Sequence, residues 1–203
     1  MHPIKLTLAL GLIAASASLG GCIAAVAGAG ATGAVNASQE RGFEQSVDDN
    51  EISFEFNRRM LSTKSSIYTG ISTEVTSGRL LLTGHVPTPE DKILVSRVGW
   101  TVPGVKEVIN NVSIGKSLSF GQQATDTAIT TKLRARLIAD SDISSINYSI
   151  ETENSVVYLM GIAQDQAELD RVTAHARDID GVRNVTSYVT IKGAPAALPT
   201  PEN

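Results

Sequence analysis

The chain is poor in the residues that build cross-links, metal cages and aromatic clefts. Of its 203 residues only one is Cys, at position 22. A single Cys excludes an intrachain disulfide and any multi-Cys metal site. Three His, at positions 2, 85 and 175, leave little for a His-based cage. One Trp, four Tyr and four Phe mean that any core is mainly aliphatic. Basic residues are also scarce: 17 Lys and Arg against 21 Asp and Glu give a net charge of −4. That balance offers no general attraction for nucleic acid, and none is expected as a partner. Enzyme signatures are missing too. There is no G-x-S-x-G, no G-x-x-x-x-G-K-[ST] and no H-E-x-x-H. A Ser–His–Asp set forms in space rather than in sequence, but nothing in the pattern brings His85 and His175 together. Both read as surface or satisfied histidines. Asp165, Glu168 and Asp170 open a helix and suit its dipole. The expectation is a protein without catalytic activity, cofactor or metal.

What is present begins with an address. Met1-His2-Pro3-Ile4-Lys5 is followed by an apolar run from Leu6 to Ala17 and then by Leu19-Gly20-Gly21-Cys22. A cationic start, a short apolar stretch and small residues before a break form a secretory signal. The only Cys stands immediately after that small-residue step. This resembles the bacterial lipobox, which implies cleavage before Cys22, a diacylglycerol on its sulfur and an acyl chain on the new amine. Ile23, rather than Asp, follows the Cys; by the same resemblance, that implies sorting to the outer membrane. The competing readings are one uncleaved anchor running on to Asn36, or a buried core Cys. The Ala- and Gly-rich second half speaks against the anchor and the position within a signal speaks against the core.

Residues 22–45 are small and polar, without sustained apolar periodicity, and read as a flexible tether behind the 1–21 signal. The tether contains Gly28-Ala29-Gly30-Ala31-Thr32-Gly33, a match to the dinucleotide fingerprint. That motif has meaning only between a strand and a helix, and here it follows an acylation site. The tail, 193–203, holds three Pro and no apolar period.

Between tether and tail, one unit is written twice. A shift of 77 positions superposes Ile52 on Ile129, Arg59 on Arg136 and Glu74 on Glu151. The same shift brings Gly84 onto Gly161, Gly104-Val105 onto Gly181-Val182, and Ile114 onto Ile191. Each copy opens with a helix, its apolar residues at i, i+4 and i+8: Ile52, Phe56, Met60, then Ile129, Leu133, Leu137. Asp126 is placed to cap the second of these helices. A hairpin follows, turning at Ser77-Gly78 and at Asn154-Ser155. A second helix then ends near Gly104 or Gly181, and a last strand runs over 105–114 or 182–191. The fold class is therefore α+β: two tandem αββαβ domains, at 46–115 and 124–192. Each is a three-stranded mixed sheet covered by two helices.

This pattern resembles the BON domain, a module of bacterial periplasmic and outer-membrane proteins. The resemblance rests on Gly84 and Gly161 at the hairpin ends. It rests also on Gly104-Val105-Lys106-Glu107-Val108 and Gly181-Val182-Arg183-Asn184-Val185. The order of lipobox, tether and two domains is similar to the dual-BON outer-membrane lipoproteins of proteobacteria. That resemblance implies an acyl-anchored protein on the periplasmic face of the outer membrane, tied to envelope integrity, envelope stress and cell division. It implies anionic phospholipid as partner, phosphatidylglycerol or cardiolipin. By position the lipid contact falls on 121–136, with Gly121, Asp126, Thr127, Ala128, Thr131, Lys132, Arg134 and Ala135 as contact residues. The family places a Trp where this chain has Ala128, which removes apolar area and an interfacial preference.

The residues themselves allow the same use. At 100° per residue, Ala128, Thr131, Ala135 and Ile138 stand opposite the stripe of Ile129, Leu133 and Leu137, with Lys132 and Arg134 at its flanks. A partly apolar face edged by cations can rest on a phosphate-rich surface; an ordinary solvated helix is the alternative. Trp100 lies off the apolar stripe of its helix, as an exposed anchor or, more in keeping with its size, packed between the domains. Two functions follow. One is an outer-membrane lipoprotein binding anionic phospholipid through the second domain. The other is a protein–protein adaptor of the envelope, in which lipid serves only as tether.

Overall fold

The structure, a computed structural model, describes residues 42–193, with side chains from residue 48. The signal, Cys22, the glycine motif and the tail from 194 lie outside the described residues. The elements run α1 (Gly42–Tyr68), β1 (Ile71–Thr76), β2 (Arg79–Val86), α2 (Pro89–Trp100), β3 (Glu107–Asn110) and β4 (Ser113–Ile114). The second copy follows with α3 (Phe120–Ala139), β5 (Tyr148–Glu153), β6 (Val156–Ala163), α4 (Gln166–Arg177) and β7 (Asn184–Ile191).

In each copy a hairpin pairs antiparallel and its second strand takes the last strand parallel. Glu74 stands opposite Leu81 and Glu151 opposite Tyr158, while Leu80 pairs with Val108 and Val157 with Val185. The sheets are therefore mixed, as the repeat predicts. Side chains alternate across the pleat. Leu80, Leu82 and Val86 meet Ile52, Phe56 and Met60 of α1 and Val95 and Val98 of α2. Val157, Leu159 and Ala163 meet Ile129, Leu133, Leu137 and Val172. Each fully buried aliphatic or aromatic side chain contributes about 1.5–3 kcal/mol over an exposed one.

Several boundaries differ from the sequence reading. The helix α1 reaches back to Gly42, into the segment assigned to the tether, and is interrupted at Lys64 (φ −155°, ψ 82°). The helix α3 begins six residues before Asp126, capped by Ser119. The last strand of the first domain is broken into β3 and β4, both on β2. Asn110 is the cause. Its amide donates to Lys92 O (2.9 Å) and Ser96 Oγ (2.6 Å), while its Oδ1 accepts from Val112 N (3.0 Å). The side chain thus competes with the ladder for the backbone. Ser187 holds that place in β7, which runs unbroken from Asn184 to Ile191.

The sheet faces that carry no helices lie against each other. Leu81 and Ile109 of the first domain cluster with Met160, Tyr158 and Tyr188 of the second. Arg79 donates to Tyr188 O (2.5 Å), and Asn111 Nδ2 to Tyr188 Oη (2.7 Å). His85 Nδ1 meets Glu153 Oε1 at 2.7 Å. The result is four layers, with the α1–α2 pair and the α3–α4 pair on opposite outer sides. Trp100 has no place in this seam. It is 58% exposed on the outer side of α2, a correction to the interdomain position that its size favours.

Candidate functional site

The helix that the family resemblance singles out is built from its cap upward. Ser119 Oγ accepts from Gln122 N, and Gln122 Oε1 accepts from Ser119 N (3.0 Å), a reciprocal capping box. That start adds a turn and a half ahead of Asp126. With Ile129, Leu133 and Leu137 buried, helical periodicity puts Phe120, Ala124, Thr131, Ala135 and Ile138 on the opposite side. Phe120 is 88% exposed and Ile138 68%. The stripe between them is about 27 Å long at 1.5 Å per residue. Thr125, Thr127 and Thr131 donate their hydroxyls to the carbonyls of Gly121 (3.0 Å), Gln123 (2.9 Å) and Thr127 (2.8 Å). Their polar groups are already satisfied within the helix, which lowers the cost of covering this face.

The cations divide by role. Arg136 donates to Asp178 Oδ2 (2.7 Å) and Asp178 O (3.3 Å), so its charge ties α3 to the end of α4. Lys132 and Arg134 are exposed, one on either side of the stripe. Gly121, Thr127, Ala128, Thr131 and Ala135 are exposed as well, and nothing lies within 4 Å of a side chain built at Gly121.

Asp126 stands apart from this group. It is 5% exposed, and its carboxylate accepts from Asn154 N (2.8 Å) and Ser155 N (2.7 Å). The side chain expected to cap the helix therefore clamps the β5–β6 turn, where Asn154 and Ser155 both take positive φ. Asp49, 77 positions earlier, does the same for Ser77 N (2.9 Å) and Gly78 N (2.8 Å). The equivalence of Asp49 and Asp126 is visible in the repeat, and it is the signal that sequence reasoning passed over. Phe120 was passed over as well; the pattern Ser119-x-x-Gln122 marks it as the first helical residue.

The remaining polar groups have structural partners. Asp165 caps α4 by accepting from Glu168 N (2.9 Å). Glu168 accepts from Ser144 N (2.7 Å) and Gln164 N (2.6 Å), and Asp170 from Gln166 Nε2 (2.7 Å). His175 Nε2 lies 2.8 Å from Asp140 Oδ2, and that contact holds the Asp140 carboxyl below its usual range. His85 and His175 thus serve different carboxylates. Among the described residues no group of three His, Cys, Asp or Glu is placed to hold a metal ion.

Comparison with known proteins agrees with this architecture. The model of the BON domain matches residues 48–116 and again 125–193. The chain is 40% identical over 147 residues to an uncharacterized protein of the gshII 5′ region of Anaplasma centrale, covering 72% of this chain and 96% of that one. It is 31% identical over 176 residues to the outer membrane lipoprotein DolP of Haemophilus influenzae, covering 86% and 90%. It is 28% identical over 148 residues to the osmotically-inducible protein Y of Escherichia coli, covering 72% and 74%. With both copies matched, and with two helices on a mixed sheet in each, the chain belongs to the BON-domain family and carries the domain twice.

Proposed function

We propose that this protein is an outer-membrane lipoprotein of the periplasmic face, acylated at Cys22, which binds anionic phospholipid through α3 and supports envelope integrity and division. The observation that carries the lipid reading is the outer side of α3. It is an exposed stripe from Phe120 to Ile138, with Lys132 and Arg134 at its flanks. The relative named as an outer membrane lipoprotein, aligned over most of both chains, supports the location. No helix among the described residues is long and apolar enough to cross a membrane, and an acyl anchor supplies attachment without one.

Magnitudes assign the two contacts different tasks. Burying Phe120 and Ile138 contributes about 1.5–3 kcal/mol each at most. Each cation near an anionic surface adds about 1 kcal/mol. Ordering the protein on the surface takes back several of these, so α3 alone binds weakly and reversibly. Two or more acyl chains give stable anchoring. Cys22 therefore keeps the protein at the membrane, and α3 sets its orientation and lipid preference.

Flotation of the unacylated chain, residues 23–203, with vesicles tests the lipid reading. The expected result is binding to phosphatidylglycerol and cardiolipin but not to neutral lipid, weakened by salt and by Lys132→Glu with Arg134→Glu. The adaptor reading has its own support: Phe54, Leu61, Ile93 and Trp100 are exposed on the opposite helical layer. No flotation with any vesicle, together with an intact pull-down of envelope proteins by the charge-reversed chain, would favour the adaptor.

A further inference from the structure

The duplication brings two equivalent carboxylates to one seam. Glu74 in β1 and Glu151 in β5 occupy the same position of the two repeats. Both point away from the helices, because their strand neighbours Val75 and Ile150 lie in the two helix-covered cores. The strands β1 and β5 approach each other where the sheets meet. A sequence copied onto a facing sheet puts like charge opposite like charge. Two ionised carboxylates in a poorly solvated seam repel, and a proton on Glu151 removes that repulsion.

Among the described residues, no cation is paired with Glu151. From β1 it receives the Ser72 hydroxyl in a hydrogen bond and the field of the Glu74 carboxylate. On its own strand stands Glu153, which His85 of β2 engages at 2.7 Å. From α3 it feels Asp126, whose oxygens are taken by the Asn154 and Ser155 amides. The guanidinium of Arg79 in β2 is held by Glu107 of β3 (2.6 Å) and by Tyr188 O of β7. Among the described residues, Tyr158 of β6 and Tyr188 are the remaining titratable groups of the seam. We propose that this seam is a proton-operated clasp between the two domains, closed while Glu151 is uncharged opposite Glu74 and loosened when Glu151 gives up its proton.

Burial first, and the Glu74 charge second, push the Glu151 carboxyl up from 4.5 to about 7. Burial also raises Glu153, against the pull of His85. A carboxyl raised in the closed state makes that state bind more protons than the open one, so closure is favoured at low pH and weakens as pH rises. From the Glu151 shift, the closed-to-open ratio falls by roughly two orders of magnitude between pH 4.5 and pH 8.

The methionines provide the readout. Met160 is buried in the seam and Met60 in the core of the first domain. In methyl NMR of the whole chain from residue 22, a soluble paramagnetic probe reports the exposure of each. The expected result is a Met160 methyl that becomes accessible as pH rises through about 7, with Met60 protected throughout. Glu151→Gln keeps the shape without the charge and should abolish the rise. Glu74→Gln, a second variant should the first fail to fold, removes one cause of the upward shift and should shrink the rise. The proposal is overturned by a Met160 signal flat from pH 5 to 9, by a rise unchanged in the variants, or by Met60 opening with Met160.

Discussion

Replacing Asp126 by Ala removes a side chain that binds both amides of the β5–β6 turn. Its carboxylate accepts from Asn154 N at 2.8 Å and Ser155 N at 2.7 Å, from a position 5% exposed. Hydrogen bonds to a charged group contribute about 1.5–3 kcal/mol each, and a buried donor left unsatisfied carries its full desolvation cost. The two amides are adjacent and the losses are not additive, so the expected destabilisation is about 3 kcal/mol. For a folded unit of this size that lowers the thermal midpoint by roughly 6–12 °C. Asp126→Asn keeps one acceptor oxygen and should lose about half as much. Asp49→Ala, with the same geometry on Ser77 N and Gly78 N, should match Asp126→Ala. Urea unfolding of the three variants beside the exposed control Asp170→Ala measures this. A loss below about 1 kcal/mol for both Asp→Ala variants would refute the clamp. A variant of full stability with impaired vesicle binding would return Asp126 to the lipid contact.

Other outcomes follow from the same geometry. Gly84→Ala and Gly161→Ala each force a Cβ to 2.1 Å from Gly70 O and 2.0 Å from Asn147 O, at φ +104° and +139°; calorimetry should show a loss of at least ~3 kcal/mol, or no folding. Phe120→Ser should leave the melting curve unchanged and weaken vesicle affinity roughly tenfold, from the apolar area lost. The Lys64 ammonium, 2.5 Å from Asp91 Oδ1, holds that carboxyl below its usual range. A depressed carboxyl contributes stability above its unfolded value, and that contribution is lost as pH falls through the folded one. Lys64→Met should therefore flatten the acid limb of a stability–pH curve and leave its slope near neutrality unchanged.

The parts of this molecule that were legible in the sequence are those set by local periodicity and by repetition. Ile52, Phe56 and Met60 specify one helix face at 3.6-residue spacing, and the 77-residue shift specifies its twin. Gly84 and Gly161 mark backbone that no side chain tolerates. Side chains that act across space were not legible. Asp126 has the chemistry of a helix cap and the location of a turn clamp, and only the hairpin's return tells the two apart. Asn110 breaks a strand because Lys92 and Ser96 lie beneath it on α2. The seam was invisible because Leu81, Ile109, Tyr158 and Met160 sit at positions that alternation assigns to the solvent side of each sheet. Met160 stands where the other copy has Thr83, and Tyr188 where it has Asn111. The two faces differ, so the repeat did not announce that they meet. On α3 the exposed face follows from periodicity, but its length depended on a cap at Ser119, upstream of the one assigned at Asp126.

Restoring the family's ring at position 128, in a chain whose Trp100 is replaced by Phe, tests the central claim that α3 lies on anionic lipid. In the Ala128→Trp, Trp100→Phe protein the only indole stands on the exposed side of α3. With phosphatidylglycerol–cardiolipin vesicles the account predicts a blue shift of its emission and quenching by brominated acyl chains. It also predicts affinity raised roughly tenfold by the added aromatic area and abolished by Lys132→Glu with Arg134→Glu. An indole that keeps its aqueous emission while the protein floats with the vesicles would contradict the account and move the lipid contact to another face.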